Sequence, residues 1–203
     1  MFENFQSAFQ RDEAASEEGA HAGQTDYPKL TEFLRAFGGA SFARGLYRIA
    51  SFGTLSRWDE RITIAYPDYE GRVTCFGYDW LGRAFALDWS RMEGDEPGIL
   101  MFEIGTGYAL QISCNLQTFH EDELPEFAEE ALALSFYREW LAQGGPVPSL
   151  DQCVGYKIPL FLGGDDGPEN LELADLDVYW HLTGQLAAAA RYKPPGTVLD
   201  VSG

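Results

Sequence analysis

Carboxylates are the most numerous side chains of this sequence that could act chemically. A run of them lies in the C-terminal part of the chain and comprises Asp165, Asp166, Glu169, Glu172, Asp175 and Asp177. An EF-hand calcium loop places its ligands at alternate positions around a central glycine, ends on a glutamate and lies between two helices. The run lacks that order. It is typical of a solvated acidic surface or of an acidic patch that faces a partner, and both interpretations stay open.

The remaining reactive side chains form no catalytic pattern. The histidines are His21, His120 and His181, and the cysteines are Cys75, Cys114 and Cys153. No CxxC pair, HExxH, GxSxG or phosphate-binding loop occurs, and Gly105-Thr106-Gly107 has neither the lysine nor the helix that a phosphate loop needs. A hydrolase with paired carboxylates lacks a placed acid and base. We therefore predict a protein that is not an enzyme, with no catalytic residue, metal or cofactor, and with buried reduced thiols.

The charge balance narrows the class of partner. Lysine and arginine number 14 against 32 aspartates and glutamates, which gives a formal net charge of -18 and a pI near 4.3. Such a surface repels nucleic acid and anionic membranes and attracts a basic partner at a rate that falls with salt. We predict no direct DNA binding and no membrane association. An acidic surface that serves only solubility is the alternative.

The apolar pattern predicts an α+β fold with helices packed on a mainly antiparallel sheet. Two apolar stretches at residues 73–78 and 84–89, joined by a glycine-bearing turn, predict a hairpin, and residues 99–113 predict a further strand pair. Helical spacing predicts helices near residues 27–37, 54–66, 125–143 and 178–191. Residues 154–162 alternate as a strand does, and Pro159 within them favours a sheet edge or a broken strand.

The N-terminal segment predicts a short helix followed by a linker. Phe2, Phe5 and Phe9 have helical spacing, and the polar stretch after them has no apolar face. There is no basic and apolar leader, and nowhere do about 18 apolar residues run together. We therefore expect a cytoplasmic protein.

Two motifs resemble a known family. The chain resembles the type VI secretion DNase-immunity family in two sequence motifs. One is GYKIPLFLGG followed by ENLELADLDVYWHLTGQL, and the other is FGYDWLGRAFALD at residues 76–88. The resemblance covers residues 27–194. It implies a GAD-like N-terminal part and a C-terminal immunity module related to the SUKH superfamily. The domain boundaries expected from it are a helix and linker at 1–26, a GAD-like part at 27–145 and the C-terminal module at 146–203.

The resemblance also implies a partner, a cognate nuclease toxin, and the acidic charge of the chain predicts that the surface of this partner is basic. We expect the chain to be a monomer. The expected partner-binding residues are the acidic loop carboxylates Asp165, Asp166 and Glu169 and a second group of Asp68, Tyr69, Glu70, Asp79 and Trp80. Trp80 lies in the predicted turn YDWLGR, where an exposed indole is a suitable interface anchor. The alternative is a SUKH-like regulatory or scaffold module that binds a host protein.

Overall fold

The computed structural model describes residues 2–13 and 22–190. Eight strands run β1 (Ser41–Phe42), β2 (Tyr47–Ile49), β3 (Val73–Asp79), β4 (Ala84–Glu93), β5 (Glu96–Glu103), β6 (Tyr108–Ile112), β7 (Gln152–Tyr156) and β8 (Leu171–Asp175). The helices are α1 (Glu3–Ala8), α2 (Pro28–Phe37), α3 (Leu55–Ala65), α4 (Leu116–Thr118), α5 (Leu124–Glu126), α6 (Ala128–Leu132), α7 (Leu134–Ala142) and α8 (Leu176–Ala190).

An antiparallel sheet of six strands in the order β1-β2-β3-β4-β5-β6 forms the centre of the fold. Consecutive strands are neighbours, so no crossover is needed; short turns connect most of them, whereas helix α3 lies between β2 and β3. A second, two-stranded antiparallel sheet pairs β7 with β8. The predicted α+β fold with a mainly antiparallel sheet is therefore confirmed.

Helices cover both faces of the larger sheet because its strands are apolar on both sides. In β5, Ile99 and Met101 belong to one buried cluster, whereas Leu100 and Phe102 belong to another. Successive side chains of a strand point to opposite faces, so each cluster marks one face. The first cluster contains residues from α1, α2 and the helices between 116 and 142; the second contains residues from α3 and α8.

The N-terminal helix docks on the first face through the phenylalanines that predicted it. Phe5 is fully buried, and its ring centroid lies 4.8 Å from that of Phe42. The predicted linker begins within the described residues and continues into residues 14–21, which lie outside them. The helix is therefore part of the main core.

The segment 125–143 differs from the single helix expected there, because it divides into α5, α6 and α7. Before it, residues 115–123 form α4 and a π-helical turn at Phe119–Glu123. Asn115 caps the start, since its side chain accepts hydrogen bonds from the N–H groups of Gln117 and Thr118. Ala133 has φ of 50°, the left-handed conformation that interrupts an α-helix, and it separates α6 from α7.

The strand predicted at 154–162 is also shorter than expected. β7 ends at Tyr156, and Pro159 precedes a turn of 3-10 helix at Leu160–Leu162. Proline has no N–H to donate to a ladder, so the chain leaves the sheet before it reaches Pro159. β7 is an edge strand, as one of the two expectations had it, but the segment after Pro159 is a 3-10 turn and not a second piece of strand.

Candidate partner-binding surface

The acidic loop, which we define as residues 163–169, is held at its base by one buried amide. Asn170 is 8% exposed; its Nδ2 donates to the carbonyl oxygens of Ile158 and Asp165, both at 2.9 Å. Its Oδ1 accepts from the N–H of Ile158 at 3.0 Å. A buried amide with these contacts is satisfied and fixes the loop ends together. The loop therefore has a defined base even though its tip is polar.

The three carboxylates of this loop point their charge to solvent. Asp165, Asp166 and Glu169 are all exposed. Asp166 Oδ1 accepts a hydrogen bond of 2.7 Å from the hydroxyl of Tyr156. Lys157 lies nearby, but its Nζ donates to the main-chain oxygen of Glu169. In the part of the chain that the structure describes, no ion pair neutralises any of the three carboxylates.

The chain that leads into the acidic loop rests on the turn between β5 and β6. Leu160 N–H donates to Gly105 O at 2.9 Å. Gly105 has no room for a side chain, because a Cβ there would lie 2.6 Å from Cδ2 of Tyr156. Phe161 approaches the same turn, with its Cδ1 3.7 Å from the place of a Cβ on Gly107. The acidic loop is therefore fixed to this hairpin.

Three residues of the second predicted group, Asp68, Tyr69 and Glu70, lie beside the same hairpin. Asp68 and Glu70 are exposed at a 3-10 turn that spans Pro67–Tyr69. Tyr69 is half-buried against Phe102 of β5, with ring centroids 5.0 Å apart. The hydroxyl of Tyr66 donates to the carbonyl oxygen of Tyr108 at 3.3 Å. Residues next to both acidic segments thus contact the β5–β6 hairpin, although about 100 positions of sequence separate the two segments.

Two predicted site residues lie in the core instead. Trp80 is 0% exposed, and its Nε1 donates to Leu132 O at 2.9 Å. Asp79 is also 0% exposed, and its Oδ2 accepts from Nε of Arg83 at 2.6 Å. The expectation of an exposed indole is wrong, because helices α6 and α7 cover the β3–β4 turn. Neither side chain is available to a partner at the surface.

The exposed apolar side chains near the acidic loop were missed by sequence reasoning. Tyr108 is 66% exposed, Ile158 54% and Leu162 41%. An apolar patch with a polar rim is the usual anatomy of a protein interface. The alternation in YALQI carried a signal for Tyr108, but only the sheet order shows that its strand lies at an edge.

The two histidines that the structure describes, His120 and His181, lie in different environments. His120 is fully buried; its Nδ1–H donates to Leu116 O at 2.8 Å and its Nε2 lies 3.0 Å from the hydroxyl of Tyr47. Burial lowers the pKa of His120 to about 3, so the ring is neutral. His181 is exposed, and His21 lies outside the described residues.

The three thiols are free and buried, which confirms that prediction. Burial raises the pKa of Cys114 to about 11 and that of Cys153 to about 12, so neither is a ready nucleophile. Among residues 2–13 and 22–190, no three His, Cys, Asp or Glu side chains are grouped to hold a metal ion. Within those ranges no helix has both the length and the apolarity to cross a membrane.

Comparison with known proteins adds a family for the C-terminal part. Residues 113–187 match the family model of the C-terminal domain of the type VI secretion (T6SS) immunity protein Tdi1. This segment contains β7, the acidic loop, β8 and most of α8. No curated protein matches the chain.

A solved structure shares the fold of this protein over most of the length of both chains. The crystal structure of Atu4351 from Agrobacterium tumefaciens superposes with a TM-score of 0.65 at 16% sequence identity, covering 91% of this chain and 89% of that one. At that identity the likeness concerns the fold alone. The GAD-like N-terminal part, the SUKH relationship and the domain boundaries remain predictions. The match over residues 113–187 makes this segment similar to the C-terminal domain of a type VI secretion immunity protein.

Proposed function

We propose that the protein binds a cognate nuclease toxin in the cytoplasm and neutralises it through its acidic surface. The observation that carries this proposal is the set of exposed carboxylates at Asp165, Asp166 and Glu169, which lie in the segment that matches an immunity protein and have no basic partner in the described part of the chain. Asp68, Tyr69 and Glu70 extend the surface beside the same hairpin. Asp79 and Trp80 are left out because they are buried.

The physical basis is charge complementarity. A nuclease needs a basic surface to hold the phosphate backbone of its substrate. Carboxylates that occupy this surface compete with the phosphates and keep the nucleic acid out. Complementary charge also speeds the encounter of the two proteins, which suits an inhibitor that must act before the toxin cuts DNA.

Several further features belong to the same proposal. The protein acts by binding, without catalysis and without a cofactor. It acts as a monomer, with a GAD-like part at 27–145 and an immunity module at 146–203 as its two units.

The test is co-purification with the product of the adjacent gene, followed by a nuclease assay on the complex. The proposal predicts a tight complex in which DNA cleavage is lost, and recovery of cleavage when the toxin is released. The matched control is an acidic protein of similar size and charge, which should not inhibit at the same concentration. A complex with a neighbour that has no nuclease activity, or no complex at all, would favour the regulatory or scaffold alternative.

A further inference from the structure

Strand β6 forms an edge of the six-stranded sheet that no other described strand covers. It is the last strand in the order, and within residues 2–13 and 22–190 only β5 pairs with it. Natural edge strands are usually protected by charged side chains, proline, a bulge or very short length. The sequence of β6, YALQI, has neither charge nor proline, and its pairing with β5 has no register shift. This edge is therefore open to a further strand.

The hydrogen-bonding groups that face outward belong to Ala109 and Gln111. Nη2 of Arg91 donates to Ile99 O at 2.6 Å and to Ile112 O at 3.0 Å. One nitrogen reaches both oxygens only if both lie between β5 and β6, so this paired position is a hydrogen-bonded one. Along an antiparallel pair of strands, hydrogen-bonded residue pairs alternate with residue pairs that are not hydrogen-bonded to each other. The N–H and C=O groups of Ala109 and Gln111 therefore point away from β5.

The side chains along this edge provide an apolar surface. Tyr108 is 66% exposed and Leu110 is 43% exposed, and both lie on the same face of β6 because they are two residues apart. Ile112 continues the stripe and is half-buried. Side chains of an added strand would pack beside these three, as cross-strand neighbours do within a sheet. The edge of β6 can therefore provide an added strand with both main-chain hydrogen bonds and apolar packing.

Carboxylates lie near both ends of β6 and favour a positively charged partner at this edge. Leu160, which leads into the acidic loop with Asp166, and Tyr66, which precedes the turn with Asp68, contact the hairpin at Gly105 and Tyr108. At the other end, Oε2 of Glu123 lies 3.7 Å from Sγ of Cys114, two residues after β6. A second copy of the chain would bring a further formal charge of -18 to this edge. A basic protein segment is favoured by the same charges.

We infer that an extended segment of the basic toxin pairs with the outer edge of β6 and adds a seventh strand to the sheet. This inference rests on the proposed function, since it assigns a docking mode to the partner proposed above. Main-chain bonds to Ala109 and Gln111 hold the segment, and Tyr108 with Leu110 receives its apolar side chains. Strand addition of this kind obtains affinity from the backbone and specificity from alternate side chains.

The test compares Gln111→Pro with Gln111→Ala in the full-length chain. Proline at 111 removes the outward N–H and places its ring where the added strand must lie, but it leaves the bonds of Leu110 and Ile112 to β5 intact. We expect Gln111→Pro to weaken toxin binding at least about tenfold, by faster dissociation. Gln111→Ala keeps the N–H and should bind within about twofold of the wild type. Equal binding by the proline variant, shown folded by circular dichroism, would overturn the inference.

Amide hydrogen exchange on the wild type tests strand addition at β6 independently, even if the proline variant fails to fold. The amides of Ala109 and Gln111 should exchange quickly in the free protein and slowly in the toxin complex. Unchanged exchange in a complex that still inhibits the nuclease would refute strand addition and leave the proposed function standing. Absence of any complex would instead refute the proposed function. Protection in the free monomer, or in a dimer found by sedimentation, would assign the edge to this chain itself and overturn the inference.

Discussion

The carboxylate of Asp79 and the guanidinium of Arg83 form a buried ion pair across the turn between β3 and β4. Oδ2 of Asp79 accepts from Nε of Arg83 at 2.6 Å, and its Oδ1 accepts from the N–H groups of Leu81 and Arg83 at 3.0 and 2.9 Å. Arg83 Nη2 also donates to Ala131 O at 3.0 Å. The turn and the helix α6 are thus joined by one charged network, whose role is stability.

Asp79→Asn should destabilise the fold strongly. The asparagine keeps the size of the side chain but removes the nearer counterion of the buried Arg83, which leaves, among the described residues, only Glu103, whose Oε1 lies 3.8 Å from Nη1 of Arg83. We expect the free energy of unfolding to fall by about 3–5 kcal/mol, measured by urea denaturation. The control is Glu70→Gln, an exposed carboxylate, which should change it by less than about 0.5 kcal/mol. A small effect of Asp79→Asn would show that Glu103 balances the charge of Arg83 by itself.

Trp80→Phe should lower stability without altering the toxin interface. The substitution leaves Leu132 O without its donor and opens space among Phe136 and Tyr137, whose rings pack on the indole at centroid distances of 5.5 and 4.8 Å. We expect a loss of about 2 kcal/mol in urea denaturation. Binding measured well below the unfolding transition should match the wild type. A loss of binding with unchanged stability would restore Trp80 as an interface residue.

The burial of His120 should make the fold lose stability in mild acid. Its folded pKa is lowered to about 3 from the ordinary 6.5, so below pH 6.5 the unfolded chain takes up a proton that the folded chain refuses. The contribution is therefore complete above pH 6.5 and is lost as the pH falls toward 3. The slope is up to about 1.4 kcal/mol per pH unit.

Urea denaturation between pH 7.5 and 5.5 measures this slope, because few carboxylates titrate there. His120→Gln should remove most of it, at the cost of a lower stability at neutral pH. The exposed His181 provides the matched control, and His181→Gln should keep the slope. An equal slope in His120→Gln would mean that another group titrates on unfolding.

Neutralisation of the acidic loop should slow toxin association. The variant carries Asp165→Asn, Asp166→Asn and Glu169→Gln, which keep the side-chain shapes and the acceptor for Tyr156. We expect the association rate at low salt to fall about tenfold or more, with less dependence on salt and little change in dissociation. Stopped-flow measurements at several salt concentrations give both rates.

The control for this variant must remove the same charge elsewhere. Glu32→Gln, Glu60→Gln and Glu126→Gln change three exposed carboxylates that lie outside the loop. If both triple variants slow association equally, the net charge of the protein attracts the toxin and the loop has no special part. An unchanged rate in the loop variant at low salt would remove the loop from the interface.

Local pattern determined many elements of this protein. The spacing of Phe2, Phe5 and Phe9 predicted α1, and the two apolar stretches around residues 73–89 predicted the β3–β4 hairpin. Such patterns are reliable where the element buries one face and its period is regular. The excess of carboxylates and the isolation of the histidines and cysteines also came from the sequence directly.

Tertiary structure decided which of these residues reach the surface. Trp80 stands in a turn, and turns are usually exposed, but α6 and α7 pack over this one and bury the indole. Helical spacing continued through residues 125–143, yet the left-handed Ala133 breaks the helix so that both halves pack on one sheet face. Only the order of strands revealed that Tyr108 lies on an edge, because an edge is defined by the absence of a neighbouring strand, here among the residues that the structure describes, and no local pattern records it.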